Sequence, residues 1–150
     1  MAALAELLDL TTLSRAECLA LLSTGSIGRV VCTDGALPTA EPVNYALVAE
    51  EIIFRTHTRS RLAEAARNAV VAFQADRIDG ASGLGWSVQG VGKTYEITGD
   101  RRSDLVGSQH RLWTAEHPSH LIAIPLWRLT GRRLTLSARA AGADPLNPVR

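Results

Sequence analysis

The chain has little lysine, little cysteine and almost no net charge. Of its 16 basic residues only Lys93 is lysine, the rest being arginine, and they face 15 acidic residues for a formal charge of +1. That balance gives no sequence-wide ground for a nucleic-acid partner or an anionic membrane surface. Arginine is nevertheless the planar fork that grips carboxylates and phosphates bidentately, so local anion sites stay open. The two cysteines, Cys18 and Cys32, fall in no C-x-x-C or Cys/His spacing. This argues against a disulfide framework or structural zinc and fits a reducing compartment. The four histidines, His57, His110, His117 and His120, show no metal-ligand spacing, and no nucleophile elbow is present. A hydrolase or metalloenzyme is therefore disfavoured, and no metal is expected. Long apolar runs are missing too. The longest, Leu121 to Trp127, is far below the roughly 18 residues that span a bilayer. The first ten residues carry Glu6 and Asp9 without a basic leader. The expectation is a soluble, cytoplasmic protein.

What is present suffices for one domain: 150 residues, 46% of them hydrophobic, are enough for a single core. Ser14 and Glu17 form a capping-box pattern that opens a helix carrying Leu19, Leu21 and Leu22, and Gly25 is placed to end it. The Val- and Ile-rich run 26–33, the Asp34-Gly35 turn and the run 38–48 predict a β-hairpin. Further strands are expected over 51–56, 69–79, 86–98 and 121–136, and short helices over 59–67 and 104–113. Pro125 suggests an edge or bulge and Gly131 a bend. The sum is a mainly β chain, a six-stranded antiparallel barrel with short helices, occupying 1–137 and followed by a mobile tail over 138–150.

Three segments carry candidate chemistry. In Phe54-Arg55-Thr56-His57-Thr58-Arg59-Ser60-Arg61-Leu62 a strand ends and a helix begins, so free backbone N–H groups, hydroxyls and guanidinium groups converge as an anion site in outline. The plainer alternative is a capped helix with solvated arginines. Pro42-Val43-Asn44-Tyr45 offers an extended backbone edge along which a flat heteroaromatic ring could lie, against ordinary sheet packing. Gly85-Trp86-Ser87-Val88 delivers an indole and a hydroxyl from a glycine loop, against a core plug and a strand-edge donor.

The order PVNYAL, IIFRTHTRSRLAEAARN, VVAFQAD, GWSVQGVGKTYEI and IPLWRLTGRRL resembles the pyridoxamine 5′-phosphate oxidase-like family of FMN-binding split barrels, over about Leu13 to Leu136. The resemblance implies FMN at a homodimer interface, with its ring along Pro42, Val43, Asn44 and Tyr45. It places Thr56, Ser60 and Arg61 on phosphate-contacting positions, Arg55 on a neighbouring one, Ser87 at a further polar phosphate contact and Trp86 beside it. Trp127 and Arg128 are placed to reach the partner's cofactor. Two positions depart from the pattern: Leu62 and Ala46 stand where many members, or the oxidases proper, carry lysine. No histidine follows His120, so the Arg-x-His substrate motif of the true oxidases is missing. Oxidation of pyridoxamine phosphate itself is not expected.

A flavin enzyme needs orientation, electrostatics and a dry pocket from its protein rather than a nucleophile, which suits this chain. Three readings follow. The first is an FMN-dependent oxidoreductase acting on a small molecule. The second is a deazaflavin-coenzyme-dependent reductase, for which the Arg55, Arg59 and Arg61 rim suits a longer anionic tail. The third is a non-catalytic flavin- or haem-binding module or dimerisation barrel. His57 lies beside the proposed site. His110, His117 and His120, with Trp113, are read as packing and solvated residues.

Overall fold

The computed structural model describes residues 8–57, 60–107 and 119–136. Its elements are β1 (Leu8–Thr12), α1 (Arg15–Thr24), β2 (Ile27–Asp34), β3 (Leu37–Val48), β4 (Glu51–His57), α2 (Arg61–Ala65), β5 (Val70–Ile78), β6 (Gly85–Lys93), β7 (Tyr95–Ile97), α3 (Gly99–Gly107), β8 (Ser119–Pro125) and β9 (Arg128–Leu136). The capping box is formed: Ser14 Oγ accepts from Glu17 N–H at 3.2 Å while Glu17 accepts from Ser14 N–H at 2.7 Å. The β2–β3 hairpin turns at Gly35 and Ala36, both in the left-handed region. That is the two-residue turn whose twist matches the strands.

The nine strands form one antiparallel sheet in the order β1-β9-β6-β5-β2-β3-β4-β8-β7. The expected count of six is corrected to nine for three physical reasons. First, 8–12 pairs with the end of β9, a contact invisible locally. Second, the long run 86–98 breaks at Thr94. This buried residue turns from the sheet to the loop after α2: its N–H donates to the Ala69 carbonyl at 2.8 Å, and its hydroxyl accepts from Ala69 N–H at 3.0 Å and donates to the Ala66 carbonyl. Third, 121–136 breaks at a tight turn where Trp127 N–H bonds the Pro125 carbonyl at 3.0 Å. Pro125 thus ends a strand, and β9 runs through Gly131 without interruption because that glycine serves helix packing. A Cβ there would stand 2.6 Å from Cys18 Sγ on α1. Helix α3 begins at Gly99, earlier than the expected 104; 108–113, the tail 138–150 and residues 58–59 lie outside the described residues.

Thr94→Val is expected to destabilise the fold by about 2 kcal/mol, since it strips hydrogen bonds from the buried carbonyl at 66 and the part-buried N–H at 69. Chemical denaturation of the two proteins measures it.

The main core lies on one face of the folded sheet and includes Phe54, Phe73, Ile52, Ile124, Val30, Val88 and Leu22. A second cluster, Ile53, Ile97, Leu121 and Ala123, lies on the other face of β4 and β8, with Leu105 of α3 packed against it. The sheet closes where β6 crosses β8, at Gly92 against the Pro125 carbonyl.

Candidate functional site

The central feature is a fork between β3 and β4. These strands pair only from Tyr45↔Phe54 to Val48↔Glu51, next to their turn. Before Tyr45, β3 pairs with β2, through Asn44↔Ile27 and Arg29↔Pro42. After Phe54, β4 pairs with β8, through Arg55↔Leu121, Thr56↔His120 and His57↔Ser119. The facing edges of 42–44 and 55–57 therefore separate, and no described strand fills the gap between them. Unpaired backbone donors and acceptors at such edges are available to a flat ligand.

Alternation along the strands decides which side chains face where. Pro42 and Asn44 point to the exposed outer face, while Val43 and Tyr45 are buried. Tyr45 belongs to the core: its hydroxyl donates to the Leu22 carbonyl at 2.6 Å, and its ring stands edge-on to Phe73 at 4.8 Å. Its backbone is engaged as well, since its N–H donates to the Ser26 carbonyl at 3.0 Å and it pairs across from Phe54, so of the four expected ring-contact residues only Pro42, Val43 and Asn44 lie in the fork. Burial holds the phenol well above its usual range, at about 12, with Arg77 pulling weakly the other way. An unfolded phenol ionises near 10. Between about pH 10 and 12 the native state therefore binds more protons than the unfolded state, and stability falls as pH rises. Tyr45→Phe is expected to melt lower than the wild type at neutral pH, and the gap should narrow across that window. Melting curves at stepped pH test this.

Thr56 is 4% exposed, and its Oγ1 has no hydrogen-bond partner among the described residues. Arg55, on the opposite face of β4, is half-buried. Ser60 caps α2: its Oγ accepts from Ala63 N–H at 3.0 Å, which leaves its own hydroxyl proton for another acceptor. The helix runs Arg61–Ala65, shorter than the expected 59–67, with Ser60 as its N-cap and Ala66 as its C-cap. So short a helix adds little dipole, and the anion-holding capacity here rests on hydroxyls and guanidinium groups. Arg61 is exposed at the first helical position. Leu62 packs against the main core and Ala46 against the second cluster, so both positions serve packing.

Trp86 and Ser87 lie elsewhere, on β6, with β5, β2 and β3 between them and β4 in the sheet. Trp86 is 7% exposed and lines a cleft of about 190 Å³ with Tyr45, Gly25 and Arg77. Ser87 belongs to an outer-face network: Gln74 Nε2 donates to Ser87 Oγ at 3.2 Å and to Asp76 Oδ2 at 2.7 Å, and Arg29 reaches Gln74 Oε1 at 3.4 Å. Beside it, Pro42, Ile27, Arg29 and Asp76 line a second cleft of about 200 Å³. The clefts thus bring Trp86 to Tyr45, and Pro42 to Asp76 of the Ser87 network, while Thr56 and Ser60 line neither cleft. Among the described residues no three His, Cys, Asp or Glu side chains are grouped to hold a metal, and no helix is long and apolar enough to cross a membrane.

The reading of the histidines missed one feature. His120 sits directly across the rung from Thr56, with its Nδ1 hydrogen-bonded to Glu96 and its Nε2 buried without a partner among the described residues. Only strand pairing brings positions 56, 96 and 120 together, so no local signal could reveal it.

An antiparallel split barrel with an open strand fork is the architecture that comparison with known proteins finds again. The family model described as pyridoxamine 5′-phosphate oxidase matches residues 14–133, from the α1 cap to β9. The chain belongs to the pyridoxamine 5′-phosphate oxidase-like family. It is 32% identical over 139 residues to Rv0080, an uncharacterized protein of Mycobacterium tuberculosis, covering 87% of this chain and 90% of that protein. The FAD binding protein of Mycobacterium smegmatis superposes with a TM-score of 0.67 at 28% identity, covering 83% of this chain and 98% of that one. An FAD-binding protein of Mesorhizobium loti shares the fold with a TM-score of 0.69 at 22% identity, covering 85% of this chain and 98% of that one.

Proposed function

We propose that the chain is an FMN-dependent oxidoreductase acting on a small molecule, with its flavin held at the fork in a cytoplasmic homodimer. The observation that carries this reading is the buried Thr56 hydroxyl, which has no partner among the described residues. A polar group hidden from water without a partner is costly unless something else completes it. A phosphate oxygen is a strong acceptor for it, so the residues present fit the group that the family resemblance implies. The redox chemistry is the flavin's when it is bound, and the protein's share is orientation, electrostatics and exclusion of water.

The chain's own residues divide that share. The free edge at Pro42, Val43 and Asn44 presents backbone groups to the ring, Thr56 and Ser60 donate hydroxyl hydrogen bonds to the phosphate, and Arg61 with Arg55 supplies positive charge. With apolar side chains at Leu62 and Ala46, arginine carries the cationic contribution alone. Ser87 lies on β6, away from Thr56 on β4, which suits a dimer in which a second copy brings its β6 to the first copy's site. Ile27 and Val70 are each 64% exposed on the outer face of β2 and β5, and Trp127 is 65% exposed at the β8–β9 turn. These are apolar surfaces suited to burial between copies. Two free, buried cysteines are in keeping with a reducing compartment.

A second reading, with FAD in place of FMN, is favoured by the M. smegmatis FAD binding protein at 28% identity. Titrating FMN, FAD and the deazaflavin coenzyme into cofactor-free protein, followed by flavin fluorescence, separates the readings. Saturable FMN binding with one flavin per protomer and reduction by a nicotinamide donor is the expected result. Preference for FAD or the deazaflavin would replace the cofactor assignment. Bound flavin that no donor reduces would make the chain a binding module, and binding of none would overturn the proposal.

A further inference from the structure

Three buried side-chain polar atoms lack a hydrogen-bond partner among the described residues: Thr56 Oγ1, Ser119 Oγ and His120 Nε2. All three fall on two consecutive rungs of the β4–β8 ladder, Thr56↔His120 and His57↔Ser119. Their concentration is informative, because native proteins leave few such groups and those left are often completed by a ligand or water. Side-chain alternation sorts them. Thr56 and His120 project to one face, with Cβ atoms about 5 Å apart by the geometry of directly opposed residues, and Ser119 projects to the other.

The imidazole is oriented from behind. His120 Nδ1 is hydrogen-bonded to Glu96 Oε1 on β7, and a carboxylate only accepts, so Nδ1 is the donor. This fixes the ring and leaves Nε2 as its working atom. No hydrogen bond joins Thr56 Oγ1 to His120 Nε2, and each lacks a partner among the described residues. A single anionic oxygen placed between them would complete both, accepting from the Thr56 hydroxyl and from an Nε2–H.

We propose that His120, positioned by Glu96, is a second holder of the flavin phosphate, opposite Thr56. This rests on the flavin reading above and adds to it a residue, and a carboxylate behind it, from β8 and β7. The arrangement gives the site a ring nitrogen on β8, beside the arginines of the strand-to-helix segment, in a chain where Leu62 and Ala46 contribute no polar group.

The test compares FMN with riboflavin, which has the ring and ribityl chain but no phosphate, on the wild type, His120→Asn, His120→Gln and Glu96→Gln. Asparagine keeps a donor near the Nδ1 position and deletes Nε2, whereas glutamine keeps an amide near Nε2. His120→Asn should weaken FMN binding about tenfold or more and leave riboflavin binding unchanged. Glu96→Gln should weaken FMN in the same selective way, and His120→Gln should recover part of the loss. The phosphorus-31 resonance of FMN bound to Glu96→Gln should move from its wild-type position, which gives a readout independent of riboflavin affinity and of whether His120→Asn folds. A wild type that binds FMN, with variants that bind it equally well or that lose FMN and riboflavin alike, would overturn the role of His120 while leaving the flavin reading intact. A wild type that binds neither would overturn both.

Discussion

Thr56→Val should move ligand affinity and stability in opposite directions. Valine has nearly the volume of threonine but no hydroxyl, and the hydroxyl it removes is buried without a partner among the described residues. Deleting an uncompensated buried polar group removes a desolvation cost, so the ligand-free protein is expected to gain about 1 kcal/mol. The same change deletes a donor to the phosphate. A hydrogen bond to a charged group contributes about 1.5–3 kcal/mol, so FMN affinity should fall by about 10- to 100-fold. Thermal melts without ligand and a fluorescence titration with FMN check the two halves separately. A destabilised ligand-free variant would mean that the hydroxyl is satisfied within the protein, and an unchanged affinity would remove Thr56 from the phosphate site.

Gly92→Ala should produce a large loss of stability for a single added methyl. A Cβ at Gly92 would stand 1.8 Å from the Pro125 carbonyl oxygen and 2.9 Å from its carbon. The obstacle is backbone rather than a rotatable side chain, so relief requires β6 and β8 to move apart. That crossing closes the sheet over the main core. The expected cost is at least about 3 kcal/mol, at the upper end for overpacking, which lowers the melting temperature by about 10 °C in a domain of this size. Gly80→Ala is the control, since a Cβ there meets nothing within 4 Å. The control should stay within about 0.5 kcal/mol of the wild type. Equal melting of the two variants would contradict the close approach of β6 to β8.

Features encoded by neighbouring residues were legible in the sequence. Ser14 and Glu17 announce the start of α1 three residues apart, and Asp34-Gly35 marks the β2–β3 turn between two β-branched runs. Leu8–Thr12 was not legible, because its place depends on pairing with β9 more than a hundred residues away. Thr94 hides a strand break inside a run of good strand formers, since its hydrogen bonds go to the loop after α2. The β3–β4 turn is a further case: Ala49 and Glu50 both adopt left-handed conformations without the glycine or asparagine that would signal them. The candidate site divides along the same line. The segment around Thr56 and Ser60 could be picked out by its hydroxyls and arginines at a strand-to-helix junction. The Glu96–His120 pair could not, because it exists only across the ladder formed by β4, β8 and β7.

The most direct test of the account is a crystal structure of the protein grown with FMN. The account predicts flavin in the fork between β3 and β4, its ring along 42–44 and its phosphate within hydrogen-bond distance of Thr56 Oγ1, with Ser87 of a second copy beside it. Flavin bound elsewhere on the barrel, with the Thr56 hydroxyl still bare, would contradict it.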